Sequence, residues 1–304
     1  MRLTKRAYRI GGGVLLSVGL LGAGRLIWES NAAVPGPLIN RHAGHIQVIG
    51  HAGSGFFTPL NPFNPLPPSS MAGVEKALAQ GADGVEIDVQ LSQDSIPILY
   101  HDPTLNTMTT GRGCVSQQPA AALVKLPYRG GWGYDLFQDE RIVTLETLLA
   151  RAARYPQHPY LHLDLHEHDG CGEEYSRSPA LVRALAALVR RYKVPPDRLF
   201  ILTTYQPTLR QLKQELPRVP LGLEVVQDEN LMDALAAAES IGVQAIVMPK
   251  AMATPEQVGQ VQAAGFDAVL FGGRSAGSIR RLVASHPDAI EVDNVSQLLR
   301  TLQR

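Results

Sequence analysis

Several polar residues interrupt apolar runs of this chain at strand spacing. Glu86 and Asp88 stand one residue apart in Gly84-Val-Glu-Ile-Asp-Val89. Alternate side chains of a strand share a face, so both carboxylates point to the same side. Asp164, His166 and His168 alternate in the same way at the end of another apolar run. His51 ends the run 45–50, His101-Asp102 follows the run 96–100, and Glu224 lies near the end of the run 221–225. Paired carboxylates inside an apolar strand are costly unless they are neutralised. A divalent cation is the simplest partner. Glu86, Asp88 and Asp164 would offer it an oxygen-rich set from two strands, better suited to Mg²⁺ or Ca²⁺ than to Zn²⁺. The plain alternative is a surface strand with solvated carboxylates. Convergence of these residues at one end of a fold is what argues for a site.

The elements that would bring about that convergence can be read from periodicity. Apolar runs at 45–50, 84–89, 160–165, 199–203, 221–225, 245–248, 268–271 and 289–292 are mostly continuous, as strands covered on both faces require. Between them lie stretches with helical spacing: 70–80, 144–154, 179–192, 206–215, 229–240, 255–264, 275–285 and 295–303. Several open with Pro or with Ser/Thr at the first turn. Strict alternation of eight strands with eight helices predicts an α/β fold, a closed (β/α)8 TIM barrel of roughly 250 residues. An open doubly wound sheet is the competitor, but no Gly-x-Gly-x-x-Gly follows the first strand. Two long excursions, 53–69 and 111–141, follow strands and would lie over the C-terminal barrel face, where active sites of this fold sit.

The first residues read differently. Arg2, Lys5, Arg6 and Arg9 precede an apolar run over 10–24, and Ser30-Asn31-Ala32 offers small residues for cleavage. This is the layout of a secretory signal over 1–32 or, uncleaved, of a single-pass anchor that would tie the chain to a membrane. A buried N-terminal helix is the alternative. Residues 33–44 read as a linker and 45–304 as the barrel. The expected location is outside the cytoplasm, periplasmic or extracellular. The formal net charge of zero among 304 residues argues against a nucleic-acid partner, which usually draws a basic excess.

The same residues carry a resemblance. Gly81-Ala-Asp-Gly-Val-Glu86-Ile-Asp88-Val, Pro97-Ile-Leu-Tyr-His101-Asp102-Pro-Thr-Leu and Arg141-Ile-Val-Thr-Leu-Glu146 are similar to segments of the glycerophosphodiester phosphodiesterase family. His51-Ala52-Gly53 stands in place of that family's opening His-Arg-Gly. The match is close from His51 to Glu146 and continues more weakly in register to Ile290-Glu-Val-Asp293. The resemblance implies a phosphoric diester hydrolase acting on a small-molecule phosphodiester, lipid-derived in some cases. It implies one divalent cation on Glu86, Asp88 and Asp164, the last where most members place Glu. It makes His51 and His101 the general acid/base pair, and it puts His166 where members commonly have a phosphate-contacting Lys. Gly53 and Lys250 are further candidate substrate contacts.

Two departures stand out. Ala52 replaces the Arg, and Pro67-Pro68-Ser69-Ser70 replaces Pro-Glu-Asn-Thr at the start of the first helix. A cation and a carboxylate are lost together, which keeps the local charge balanced. Arg112, Arg129, Lys250 and Arg274 are candidate replacements for the cation. The apolar Phe56-Phe57 to Phe63 segment could cover substrate, touch lipid or simply pack on the rim. Two other functions stay open: sphingomyelinase D-like action on lysolipids, and a catalytically silent exported binding protein. Cys114 and Cys171 fall in segments that follow strands, and in an oxidising compartment they are expected to pair. Two separate thiols are the alternative.

Overall fold

The computed structural model describes residues 37–59, 63–131, 133–168, 170–172 and 175–304. The expected signal or anchor over 1–32 lies outside the described residues. Among those described, no helix is long and apolar enough to cross a membrane.

The strands are β1 (Gln47–Gly50), β2 (Gly84–Leu91), β3 (Pro97–Leu99), β4 (Val143–Thr144), β5 (Tyr160–Leu165), β6 (Leu199–Thr203), β7 (Leu221–Glu224), β8 (Ala245–Pro249), β9 (Asp267–Phe271) and β10 (Ala289–Val292). They run in the order β1-β10-β9-β8-β7-β6-β5-β2, and β1 also pairs with β2, which closes a parallel barrel. β3 and β4 extend from β2 as an antiparallel flap. The helices are α1 (Met71–Ala79), α2 (Ala120–Leu123), α3 (Leu145–Ala152), α4 (Ser178–Tyr192), α5 (Gln206–Glu215), α6 (Leu231–Ile241), α7 (Pro255–Ala263), α8 (Ala276–Ala284) and α9 (Val295–Thr301). The expected (β/α)8 barrel is therefore present. The short α2 is an addition from the 111–141 excursion.

Side-chain alternation explains why continuous apolar strands carry carboxylates. Val85, Ile87, Val89, Leu161, Leu163 and Leu165 face the helix ring and belong to the main core. The residues between them face the lumen, in a register that sets Glu86 beside His162 and Asp88 beside Asp164. The helices start where polar caps demand it. Ser70, Thr144, Asn230, Thr254, Ser275 and Asn294 each accept a hydrogen bond from a first-turn amide.

The lumen has two characters. Phe200, Leu202, Ala245, Val247, Val269 and Ala289 form a separate apolar cluster inside it. Gly222 makes room for that cluster, because a Cβ there would lie 2.4 Å from the Phe200 ring. The rest of the lumen is polar and forms the site described below.

The 111–141 excursion is an ordered annex with its own core. Tyr100, Leu105, Val115, Leu123, Tyr128 and Ile142 are buried together in it. Cys114 and Cys171 are disulfide-bonded across a separation of 57 residues, with Cα atoms 6.1 Å apart. The bond ties the annex to the segment that follows β5, as the sequence led us to expect. Replacing both cysteines with serine is expected to lower unfolding free energy by about 2–4 kcal/mol. Urea denaturation of the oxidised parent and the double variant checks this, and coincident transitions would contradict it.

Candidate active site

The site forms where β1, β2, β5 and β10 deliver polar side chains to one mouth of the barrel. Glu86, Asp88 and Asp164 each place a carboxylate oxygen within 4.8 Å of the others'. Glu86 and Asp88 are almost wholly buried. The carboxyl of Glu86 is pushed well above the usual range, first by burial and then by the charges of Asp88, Glu291 and Asp164. One of its oxygens accepts the Ala52 amide at 2.6 Å. The other, Oε1, is buried with no hydrogen-bond partner among the described residues. Burial also works against the charge on Asp88. Hydrogen bonds from His166 and Ser69, with the charges of His101 and His166, nevertheless hold its carboxyl below the usual range. Glu224 adds a further carboxyl, raised by burial and by Asp164. An orphaned buried oxygen amid crowded carboxylates is what a hard divalent cation would satisfy, so the residues present fit one.

The two candidate acid/base residues are built alike. Nδ1 of His51 lies 2.8 Å from Asp293 Oδ1, and Nδ1 of His101 lies 2.6 Å from Asp102 Oδ1. Each carboxylate accepts a hydrogen bond from Nδ1–H, which holds the ring in the tautomer that leaves Nε2 as the nitrogen available for chemistry. His51 Nε2 is 3.9 Å from Glu86 Oε2, which directs it at the carboxylate cluster. Burial lowers the affinity of His51 for its proton. The hydrogen bond and charge of Asp293, with the charges of Glu291 and Asp88, outweigh that and raise its pKa. Asp293 is also approached by Arg274 at 3.6 Å. Phe56 stands between the imidazoles, with its ring centre 5.4 Å from His51 and 4.9 Å, edge-on, from His101.

His166 is placed differently from a simple phosphate contact. Its Nε2 lies 3.0 Å from Asp88 Oδ1 and 3.2 Å from Asp164 Oδ2, bridging the two acids. Burial opposes a charge on this ring, but Asp164 and Asp88 raise its pKa well above the ordinary value. Gly53 is buried at φ 80, packs against Gly73 and donates its amide to the Glu86 carbonyl, so that amide is committed to the turn. Lys250 is exposed at the barrel mouth and helps to lower the pKa of Asp293. Arg129 is an exposed partner of Asp135.

Sequence reasoning missed several members. Asp293 orients His51, and Glu291 holds His162 Nδ1 at 2.7 Å within the lumen. The signal for both was present, because Glu291-x-Asp293 repeats the Glu86-x-Asp88 spacing on the last strand. Ser69, with φ 56, donates its hydroxyl to Asp88 at 2.6 Å, and no local pattern announces that contact.

A model of the glycerophosphoryl diester phosphodiesterase family matches residues 63–297. Among curated proteins, YhdW of Bacillus subtilis is 35% identical over 106 residues, 35% of this chain and 40% of its own length. A Bacillus subtilis glycerophosphodiester phosphodiesterase is 26% identical over 236 residues, 72% of each chain. The chain thus spans well under half the length of the first relatives it matches. An Oleispira antarctica phosphodiesterase, solved with the product sn-glycerol-3-phosphate, superposes with a TM-score of 0.72 at 24% identity. That likeness covers 85% of this chain and 97% of the other, and it is a likeness of fold.

The unpartnered Glu86 oxygen leads to a test. Ca²⁺ or Mg²⁺ is expected to raise the thermal midpoint, by the equivalent of about 2.7 kcal/mol at a hundred times its Kd. Glu86→Gln is expected to remove most of that response. Scanning calorimetry over a cation series decides it, and an identical response in the variant would rule Glu86 out as a ligand.

Proposed function

The chain belongs to the glycerophosphoryl diester phosphodiesterase family, and from that premise we propose that it hydrolyses small glycerophosphodiesters to glycerol phosphate and an alcohol. The observation that carries this reading is the pair of imidazoles, each backed by a carboxylate at Nδ1, flanking one carboxylate cluster. The name of the longer Bacillus subtilis relative and the product bound to the Oleispira antarctica enzyme support the substrate class.

A divalent cation, Mg²⁺ or Ca²⁺, would be held by Glu86, Asp88 and Asp164 and would withdraw charge from a phosphate oxygen when bound. The chain's own residues do the rest. One imidazole accepts a proton from the attacking water as the new P–O bond forms, and the other donates one to the leaving alkoxide as the old P–O bond breaks. His51, whose pKa is raised, suits the acid. His101 is then the base. Asp293 and Asp102 fix the two rings, and Ser69 holds the Asp88 carboxylate in place. The residues 1–32 are proposed to export the barrel across a membrane, with 33–44 as a linker. Cell fractionation tests this, and full-length protein confined to the cytosol would refute it.

Action on lysolipids is a second reading, favoured by an aromatic rim beside the site. The Phe57 and Tyr134 rings are 4.9 Å apart, the Phe63 and Phe137 rings are 5.3 Å apart, and Phe63 and Phe137 are 46% and 62% exposed. A panel of glycerophosphodiesters and lysolipids, assayed for head-group release with cation or chelator, separates the two readings from a silent binding protein.

His51→Ala and His101→Ala are each expected to lower turnover by at least about a hundredfold. Asp293→Asn removes the charge that contributes most to raising the pKa of His51, so the alkaline limb of kcat/KM should move to lower pH. An unmoved limb in Asp293→Asn, or near-parental turnover in either alanine variant, would overturn the assignment.

A further inference from the structure

The carboxylate cluster is not the only donor set at this mouth. One oxygen of Asp88 and one ring nitrogen from each of His101 and His166 also lie within 4.8 Å of one another. The two sets share Asp88 and differ in chemistry. Glu86, Asp88 and Asp164 offer oxygen alone, whereas the second set offers two imidazoles and a carboxylate. Imidazole nitrogen favours Zn²⁺ and neighbouring transition ions over Mg²⁺ and Ca²⁺.

The surroundings of the second set are those of a ligating triad. Asp102 accepts a hydrogen bond from Nδ1–H of His101 at 2.6 Å, so the lone pair lies on Nε2. A carboxylate behind a histidine in this way fixes the tautomer and strengthens the ring as a ligand. Ser69 donates to Asp88 Oδ2, while Asp88 Oδ1 is the oxygen turned to His166. The His101 and His166 rings lie side by side, tilted by 56° with centres 5.3 Å apart. His166 Nε2 already points at Asp88 and Asp164, so ligation needs no shift of the backbone.

We propose that Asp88, His101 and His166 form a second cation position, selective for Zn²⁺-like transition ions, that overlaps the oxygen site at Asp88. An ion there engages His101 and Asp88 together. Zn²⁺ should therefore inhibit the hydrolase even when Mg²⁺ or Ca²⁺ is present. That inhibition rests on the role proposed above for His101, but the binding itself does not.

The test uses the full chain stripped of metal with chelator. Co²⁺ serves as a spectroscopic probe, and Zn²⁺ affinity is read by competition with a chelating dye. Co²⁺ is expected to give the visible absorption of a nitrogen-bearing site of low symmetry. His166→Gln should abolish the band and weaken Zn²⁺ binding by at least ~10–100-fold, the range seen when even outer partners of a metal site are removed. It should keep the thermal response to Ca²⁺. Glu86→Gln should do the reverse, losing the Ca²⁺ response while retaining the Co²⁺ band. His166→Asn, and Zn²⁺-induced shifts of histidine ring signals in the unmutated protein, give the same answer if His166→Gln folds poorly. Equal Zn²⁺ affinity in His166→Gln and the parent would overturn the proposal, as would loss of the band in both variants together. Loss of Zn²⁺ binding in His166→Gln with an intact Ca²⁺ response in Glu86→Gln would sustain it while refuting the oxygen site.

Discussion

Negative charge confined in a closed barrel is the constraint on which the rest of this structure depends. The carboxyls of Glu86 and Glu224 are raised by burial and by the charges of Asp88, Asp164 and Glu291 around the same lumen. Burying a carboxylate without a partner is costly. The chain answers with several donors. The Ala52 amide serves Glu86, the Ser69 hydroxyl serves Asp88, and His162 is paired with Glu291. His166 spans Asp88 and Asp164. Glu86 Oε1 is left over. The same crowding that makes burial of these carboxylates costly makes the site attractive to a cation.

The donors also explain the unusual backbone at the site. Ala52 and Ser69 both have positive φ, a region that residues with a Cβ seldom adopt. Each strained residue makes a hydrogen bond to a buried carboxylate and is itself fully buried. The two are joined directly, since the Ser69 amide donates to the Ala52 carbonyl at 2.9 Å. The loss of the familiar Arg and of the Glu-Asn pair is thus accompanied by a compact replacement.

The annex and the rim give the site its outer boundary. Phe56 stands between the imidazoles of His51 and His101. The Gly130 position lies against the Phe57 ring, and Phe57 stacks near Tyr134, so the two excursions meet through aromatic contact. The disulfide fixes the annex at its other end, beside a small cavity of about 40 Å³ lined by His166, Glu167, Gly172 and Arg177. Arg177 reinforces that junction by donating to the carbonyls of Leu91, Ser92, Gln93 and Ser116.

By itself the sequence determined the barrel, because eight strand runs alternate with eight helical stretches despite two long excursions. It determined that Glu86 shares a face with Asp88, since a period of two leaves no other choice. It also marked His51, His101 and Asp164 as strand-end residues. Only the tertiary structure decided which distant groups answer them. Asp293 meets His51 across 242 residues of sequence and Glu291 meets His162 across 129. Closing the barrel sets β10 beside β1, which brings Asp293 to His51, and turns Glu291 into the lumen, where it meets His162 of β5. Ser69 reaches Asp88 from a turn whose conformation depends on packing against Ala52. His166 was legible as a polar strand-end residue, but its place between two carboxylates was not. Local periodicity fixes the face on which a side chain lies, while the partners across a closed lumen are set by barrel closure and strand register.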